Sequence, residues 1–465
     1  MSTQVQALVV GAGISGLTTA YALQKSGITT LLFEASPRPG GVIRSLEREG
    51  FLCECGPQSF SGTANLAAIC EELDIVDERV FPNPKAPRYV LLNGKLTRVP
   101  MGPGLLISPL FGGGTRGALL RDFFGSQAAP EKDESVGDFF RRKSASALLE
   151  RLVGPFISGI YAGDPDKLSL RAAFPLLHEA EVARGSVTRG VLSRIRERKK
   201  KDGNSIKQKH TLQSFLGGNE TLVRALAEHL GERLFCDVEV LAVDPLDPGH
   251  EANAPRFHLA LRTTRGEERI EAERLVLAVA PDAAGRILTR LNPAFATVLG
   301  EIPFAPVAVI SLGYRIADVG NELNGFGFLV PRSTGLNVLG TVWNSSLFPG
   351  RAPEGYVLLT SFLGGATNPG IVQKSAEELA SLVHRELTPL LSIRNQPMFS
   401  NVTVWQKALP QYNVGHLARL ATIEKMRNAF PGLYFAGNYL QGPAIGACVD
   451  HALRVADEIR ISFAN

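Results

Sequence analysis

The chain of 465 residues is long enough for two or three domains of the usual roughly 100–200 residues and for a large apolar core. Its 45% hydrophobic and 20% charged residues are those of a globular protein, and 49 Lys and Arg against 45 Asp and Glu leave a net +4, too mild for a nucleic-acid binder. Five cysteines (Cys53, Cys55, Cys70, Cys236, Cys448) are an odd number that fits a reducing compartment, and Cys53 and Cys55 have no second pair nearby to complete a zinc site.

The first element is an apolar strand at Leu8-Val9-Val10, so close to the start of the sequence that no secretory or transit segment is expected. It enters Gly11-Ala12-Gly13-Ile14-Ser15-Gly16, followed by a helical pattern (Leu17, Ala20, Tyr21, Leu23) and a second strand, Thr30-Leu31-Leu32-Phe33, closed by Glu34. This spacing is that of a dinucleotide site. Gly11 permits the sharp turn, Gly13 lets the backbone approach a pyrophosphate, and Gly16 lets the helix pack against its strand. The helix start then presents free N–H groups and the positive dipole end to phosphate, while a carboxylate at Glu34 accepts from ribose hydroxyls. A turn that merely packs tightly would not account for Glu34.

Over 63–79, Leu66, Ile69, Cys70 and Leu73 predict a core helix capped by Thr63. From 98 to 130 glycine, proline and apolar residues mix, a texture common to ligand mouths, lipid-facing segments and ordinary packed loops. Helical patterns dominate 135–200 and end in a basic run at 194–201, read as a solvated helix end. Leu222, Val223, Leu226 and Leu230 mark another helix, leading to a short strand at 238–240, then strands at 257–263 and 275–279. Strands predominate again at 307–312, 326–330 and 356–360, interrupted by a helix at 375–388, as expected for a separate sheet domain inserted in the nucleotide-binding fold. The chain closes with strand Leu433-Tyr434-Phe435-Ala436, turn Gly437-Asn438 and a last helix at 444–460. No stretch reaches the roughly 18–20 apolar residues of a membrane span.

A glycine-bearing strand-to-helix return at the far end suggests a long cofactor held by distant segments, which favours FAD over a nicotinamide. The last helix would aim its N-terminus, around Pro443, Ala444 and Ile445, at the pyrimidine edge of a flavin, worth about 1 kcal/mol to the reduced anion. The plainer alternative is a helix that caps the core.

Here the residues resemble a known family. The run Glu34-Ala35-Ser36-Pro37-Arg38-Pro39-Gly40-Gly41-Val42-Ile43-Arg44 is similar to the R-x-G-G-x-x-R extension of flavin amine oxidases, and Ser158-Gly159-Ile160-Tyr161-Ala162-Gly163-Asp164-Pro165 resembles the oxygen-dependent protoporphyrinogen oxidases within that superfamily. Gly56-Pro57 before Ser59-Phe60, Pro87-Arg88-Tyr89-Val90, Gly325-Phe326-Gly327-Phe328-Leu329-Val330-Pro331, Phe362-Leu363-Gly364-Gly365 and Pro410-Gln411-Tyr412-Asn413-Val414-Gly415-His416 extend the likeness, in order, over nearly the whole chain.

The resemblance implies an α/β fold: a discontinuous Rossmann-like FAD-binding domain (1–85, 206–290 and 400–465), a sheet-containing substrate domain (86–97 and 291–399) and a helical, membrane-associating domain (98–205). It implies FAD held by Gly11, Gly13, Ile14, Ser15, Gly16, Glu34, Ala35, Arg38, Gly41, Val42, Arg44, Gly56, Pro57, Gln58, Ser59, Val238, Trp405, Gly437, Pro443, Ala444 and Ile445. For the substrate it implies Arg88 pairing with a propionate through two charge-assisted hydrogen bonds, Leu329, Leu339 and Phe362 against a flat macrocycle, and Gly159 beside them. Gln58 departs from the G-P-N-S pattern of many relatives, and Gly446-Ala447-Cys448-Val449 lacks the covalent attachment motif of monoamine oxidases, so the FAD is expected to be non-covalent.

The implied reaction is six-electron oxidation of protoporphyrinogen IX by O2 with release of H2O2; the cofactor carries the hard step and no metal is expected. His416 and His451 are the candidate bases, with a buried or surface structural role the plainer reading of each. Oxidation of coproporphyrinogen III is the nearest rival, from which Arg88 leans away because relatives of that kind often carry lysine there. An amine or polyene oxidoreductase and a tetrapyrrole-binding flavoprotein are more distant ones. A cytoplasmic location or a peripheral one on the inner membrane face, a homodimer, and product hand-off to a ferrochelatase all stay open.

Overall fold

The computed structural model describes residues 3–100, 108, 113–125, 130–190, 192–193, 212–246, 254 and 256–464. The expected basic run at 194–201 and most of the glycine-rich stretch between 101 and 112 lie outside the described residues. Two seven-stranded sheets organise the rest.

The first sheet runs Leu234–Phe235, Thr30–Phe33, Thr3–Val10, Gly266–Leu277, Phe257–Thr263, Glu239–Pro245, with Leu433–Phe435 also joined to Gly266–Leu277. Its centre is parallel, and a parallel strand covered on both faces must be apolar throughout. Ala7 and Val9 pack against a helix layer built from Ile14–Lys25, Glu220–Leu230 and Ile445–Ala464, while Leu8 and Val10 face a second layer that includes Pro281–Ile287 and Pro293–Gly300. Gly266–Leu277 is longer than the strand expected at 275–279. Its first half carries Glu267, Glu268 and Arg269 in an antiparallel hairpin with Phe257–Thr263, and that charge hides a strand from an apolar-run reading.

The second sheet runs Phe399–Pro410, Phe304–Arg315, Tyr356–Gly364, Val338–Trp343, Gly327–Leu329, Arg88–Leu92, Lys95–Arg98. The alternation of Phe304–Arg315 divides its faces. Ala308, Ile310, Leu312 and Tyr314 share a core with the helix Ala376–Leu391, whereas Val307 and Val309 turn to the opposite face, toward Ala162, Phe362 and Trp405. Phe399–Pro410 is hydrogen-bonded along Phe304–Arg315 in this second sheet.

Thr63 caps Ala64–Glu72 by accepting from the Leu66 N–H at 3.2 Å. The helices between residues 113 and 184 gather on a separate core that includes Val136, Phe139, Ile157, Leu168 and Tyr412. No helix among the described residues is long and apolar enough to cross a membrane. All five cysteines are free thiols.

Candidate functional site

Phe235, Phe33, Val10, Leu277 and Phe435 are partners in one row across the first sheet, at the carboxyl end of its parallel strands. Beyond that row five segments leave side by side, beginning at Cys236, Glu34, Gly11, Ala278 and Ala436. Ligands of parallel α/β sheets bind at this edge. Both ends of the chain therefore meet there.

Gly11 sits at φ +97°, and a Cβ on it would lie 2.7 Å from the Ala278 carbonyl oxygen; one on Gly16 would lie 1.8 Å from the Gly11 carbonyl oxygen. Gly13 differs. A Cβ there would meet nothing within 4 Å, so the start of the Ile14–Lys25 helix opens onto free space. The Glu34 carboxylate is fixed beside this opening: Oε2 accepts from the Ala12 N–H at 2.7 Å, and Oε1 from Ser36 N–H and Oγ–H at 2.9 and 2.7 Å. Arg38 donates to the carbonyls of Pro39, Gly41 and Ile43, so it shapes the neighbouring loop. Ala35, Gly41 and Arg44 are exposed, Val42 half-buried. The Val238 N–H donates to the Glu34 carbonyl at 2.9 Å. Ser15 is buried at the helix start, and Cys448 of the last helix donates its thiol to the Gly442 carbonyl at 3.7 Å.

A Cβ on Gly56 would come within 2.0 Å of the Val42 carbonyl oxygen, so the Gly56-Pro57-Gln58-Ser59 segment lies directly against the loop that Arg38 shapes. The Gln58 side chain is buried, donating to the carbonyls of Glu54 and Gly56 and accepting from Asn344 Nδ2 at 2.7 Å. Trp405 Nε1–H donates to the Cys55 carbonyl at 2.7 Å, pinning the second sheet to this segment. Gly437 adopts φ +157° after the last strand, and Pro443 and Ala444 precede the helix that begins at Ile445.

On the second sheet Leu329 is opposite Gly340, which is opposite Phe362, which is opposite Val309. Residues paired this way share a face. Leu339, at the bulge beside Gly340, joins Phe362 and Trp405 in one apolar cluster. Leu329, Leu339, Phe362 and Trp405 are all only half-buried. Gly159 lies against Leu329, where a Cβ would meet its Cδ2 at 2.6 Å, so the helix Gly154–Tyr161 packs directly on this face. Arg88 pairs with Gly327, two residues from Leu329; it is exposed, and its guanidinium lies over the Phe326 ring at 5.2 Å.

Comparison with known proteins places this geometry. The family model of flavin-containing amine oxidoreductases matches residues 14–460. The chain belongs to this family. Among curated relatives, the chloroplastic protoporphyrinogen oxidases of Nicotiana tabacum and Oryza sativa subsp. japonica are 36% and 37% identical, aligned over 98% and 97% of this chain and 86% and 87% of theirs. The coproporphyrinogen III oxidase of Bacillus subtilis is 29% identical over 98% of both chains. Solved structures share the fold: one from Exiguobacterium sp. 255-15 (TM-score 0.79, 24% identity, 99% of each chain) and cyclohexylamine oxidase from Brevibacterium oxydans (TM-score 0.70, 17% identity, 99% of this chain and all of that one).

Membership makes the chain a flavin-dependent oxidoreductase with FAD as cofactor, and the residues fit that group. The open backbone at Gly13 and the anchored Glu34 carboxylate suit a pyrophosphate and a ribose, and the helix starting at Ile445 reaches the same edge from the other terminus. Sequence reasoning missed Ala278, which floors the turn; its signal was the apolar run stopping at Pro281. It also missed Asn344 and the hydroxyl of Tyr412, which nothing local marks.

Two buried charges lie behind the Gly56–Ser59 segment. Glu54 and Arg351, 2% and 1% exposed, pair at 3.3 Å. Burial pushes the Glu54 carboxyl up to about 7 despite the opposing pull of Arg351. Burial likewise lowers His416 and His451 to about 4, so both are neutral imidazoles at neutral pH. His416 Nε2–H donates to the Tyr439 carbonyl at 2.9 Å.

Proposed function

We propose that this chain oxidises protoporphyrinogen IX to protoporphyrin IX, using O2 and releasing H2O2. The observation that carries the reading is the apolar row Leu329, Gly340, Phe362, with Gly159 against Leu329 and a tie through Trp405 to the cofactor segment at Cys55. A flat, greasy macrocycle suits such a cleft. The 36% and 37% identity to the two chloroplastic protoporphyrinogen oxidases, against 29% to the coproporphyrinogen enzyme, supports the choice of substrate.

When bound, FAD supplies the acceptor for two electrons in each of three rounds. The protein's own work is then orientation and exclusion of water. Leu329, Leu339 and Phe362 hold the ring plane, and Arg88 at the open end engages a propionate. The helix start at Pro443, Ala444 and Ile445 would direct its N–H dipoles to the edge of a bound flavin that gains negative charge. Neither His416 nor His451 acts as a base in this scheme, because burial weakens the basicity of each imidazole, and the Nε2–H of His416 is committed to Tyr439.

The helical region also carries large exposed apolar side chains: Leu120, Phe124, Phe156, Ile160, Leu176 and Val182. Exposed apolar side chains of this size on the helical region support peripheral contact with a lipid surface. Sedimentation with phospholipid vesicles, compared between the native protein and a Phe124→Ser, Leu176→Ser variant, reads that contact.

The test of the reaction is aerobic turnover of protoporphyrinogen IX and coproporphyrinogen III side by side, read by porphyrin fluorescence. A higher kcat/KM for protoporphyrinogen is expected; a clear preference for the four-propionate substrate would move the assignment to the coproporphyrinogen reaction.

A further inference from the structure

The segment Pro410-Gln411-Tyr412-Asn413-Val414-Gly415-His416 has no part in the chemistry above, yet it joins the edge strand of the second sheet, the helical region and the C-terminal cofactor loop. We propose that Tyr412 is a positioning residue for the flavin: its hydroxyl sets the shape of the loop 438–442 and thereby the placement of the helix start that faces the isoalloxazine. The proposal rests on the flavin reading.

The Tyr412 hydroxyl donates to the Asn438 carbonyl and accepts from the Gly442 N–H at 2.8 Å, clamping both ends of the loop with one oxygen. The loop needs such a clamp. It starts after Gly437 at φ +157° and ends at Gly442 at φ +123°, so glycine freedom lies on both flanks. The Tyr412 ring cannot drift. It is 3% exposed, stacks on His416 with centroids 4.4 Å apart and planes 8° apart, and sits in the core of the helical region near Tyr161. His416 adds a third tie through the Tyr439 carbonyl.

The same segment reaches the cleft. Gln411 Nε2 donates to the Tyr161 carbonyl at 2.8 Å, where the helix Gly154–Tyr161 ends in a left-handed residue, Ala162, that packs with Leu339, Phe362 and Trp405. The cleft wall and the flavin-facing loop are thus referenced to one rigid stretch, and small errors there matter because productive geometry tolerates only about 0.5 Å.

The experiment compares FAD and ADP binding by the full-length apoprotein, for native chain, Tyr412→Phe and Tyr161→Phe. ADP occupies only the Gly11–Gly16 end, whereas FAD needs both. Tyr161 is a matched control: its hydroxyl donates to Ala173, in the same core, and does not touch the loop. For Tyr412→Phe the expected result is an FAD Kd raised at least tenfold with the ADP Kd within twofold, and a blurred vibronic structure in the visible band of the flavin that still binds. Tyr161→Phe should leave both affinities within twofold. Unchanged FAD binding in Tyr412→Phe, an equal loss of FAD and ADP, or the same FAD loss in Tyr161→Phe would each overturn the proposal. A native chain that binds ADP but not FAD would overturn the flavin reading itself, and the proposal with it.

Discussion

Asn344 Nδ2 donates to Gln58 Oε1 at 2.7 Å, with both residues buried, and so links the Gly56–Ser59 segment to the short helix Asn344–Leu347 that follows Val338–Trp343 in the second sheet. The same Gln58 amide donates to the carbonyls of Glu54 and Gly56. The Gln58 side chain is therefore long enough to span two structural units. Gln58→Asn shortens that reach and leaves the Asn344 amide unpaired, at about 1–3 kcal/mol. A lower melting temperature with FAD still bound is expected. An unchanged melting temperature would mean that the link carries no stability.

The two nearby glycines should respond oppositely to alanine. Gly16→Ala places a methyl 1.8 Å from the Gly11 carbonyl oxygen, so the apoprotein itself should lose more than about 3 kcal/mol. Gly13→Ala meets no protein atom within 4 Å. Its apoprotein should melt like the native one while FAD affinity falls at least tenfold, because the methyl projects where the pyrophosphate belongs. Denaturant unfolding and FAD titration of both variants separate the two effects.

Arg351 and Glu54 form a buried pair whose disruption should be costly. Arg351→Met leaves Glu54 without its counter-charge and is expected to destabilise by about 3–5 kcal/mol. Adding Glu54→Gln should recover part of the loss. Urea unfolding of the single and double variants tests this, and a neutral Arg351→Met would show the pair to be dispensable.

Acid should weaken the fold through its buried histidines. In the unfolded chain His416 and His451 take up protons near the ordinary histidine value of about 6.5, whereas in the folded protein burial holds both to about 4. Between these limits the unfolded state binds more protons, so their contribution is complete above about 6.5 and is lost as the pH falls toward 4. His451→Phe should flatten the pH dependence of unfolding in that window by about one proton. A slope unchanged by the substitution would contradict the assignment.

How much of this was legible beforehand depends on how local each signal is. The Gly11–Gly16 turn and the Thr63 cap are each written within a few residues, and Glu34, 22 residues beyond Ala12 and one strand on, accepts from the Ala12 N–H. Phe399–Pro410 reads as a strand only through its pairing with Phe304–Arg315, and Arg88 reaches Gly327 across more than two hundred residues. Asn344 and the Tyr412 hydroxyl are illegible for the same reason: their partners are backbone or amide groups that only tertiary packing brings within reach.

The central claim is flavin-dependent removal of three hydrogen pairs from a porphyrinogen, and the stoichiometry of H2O2 to porphyrin tests it most directly. Three H2O2 per protoporphyrin formed are expected, corrected for spontaneous oxidation, with formation abolished when FAD is stripped and restored when it is added back. Porphyrin formation that is indifferent to FAD, or that yields no H2O2, would contradict it.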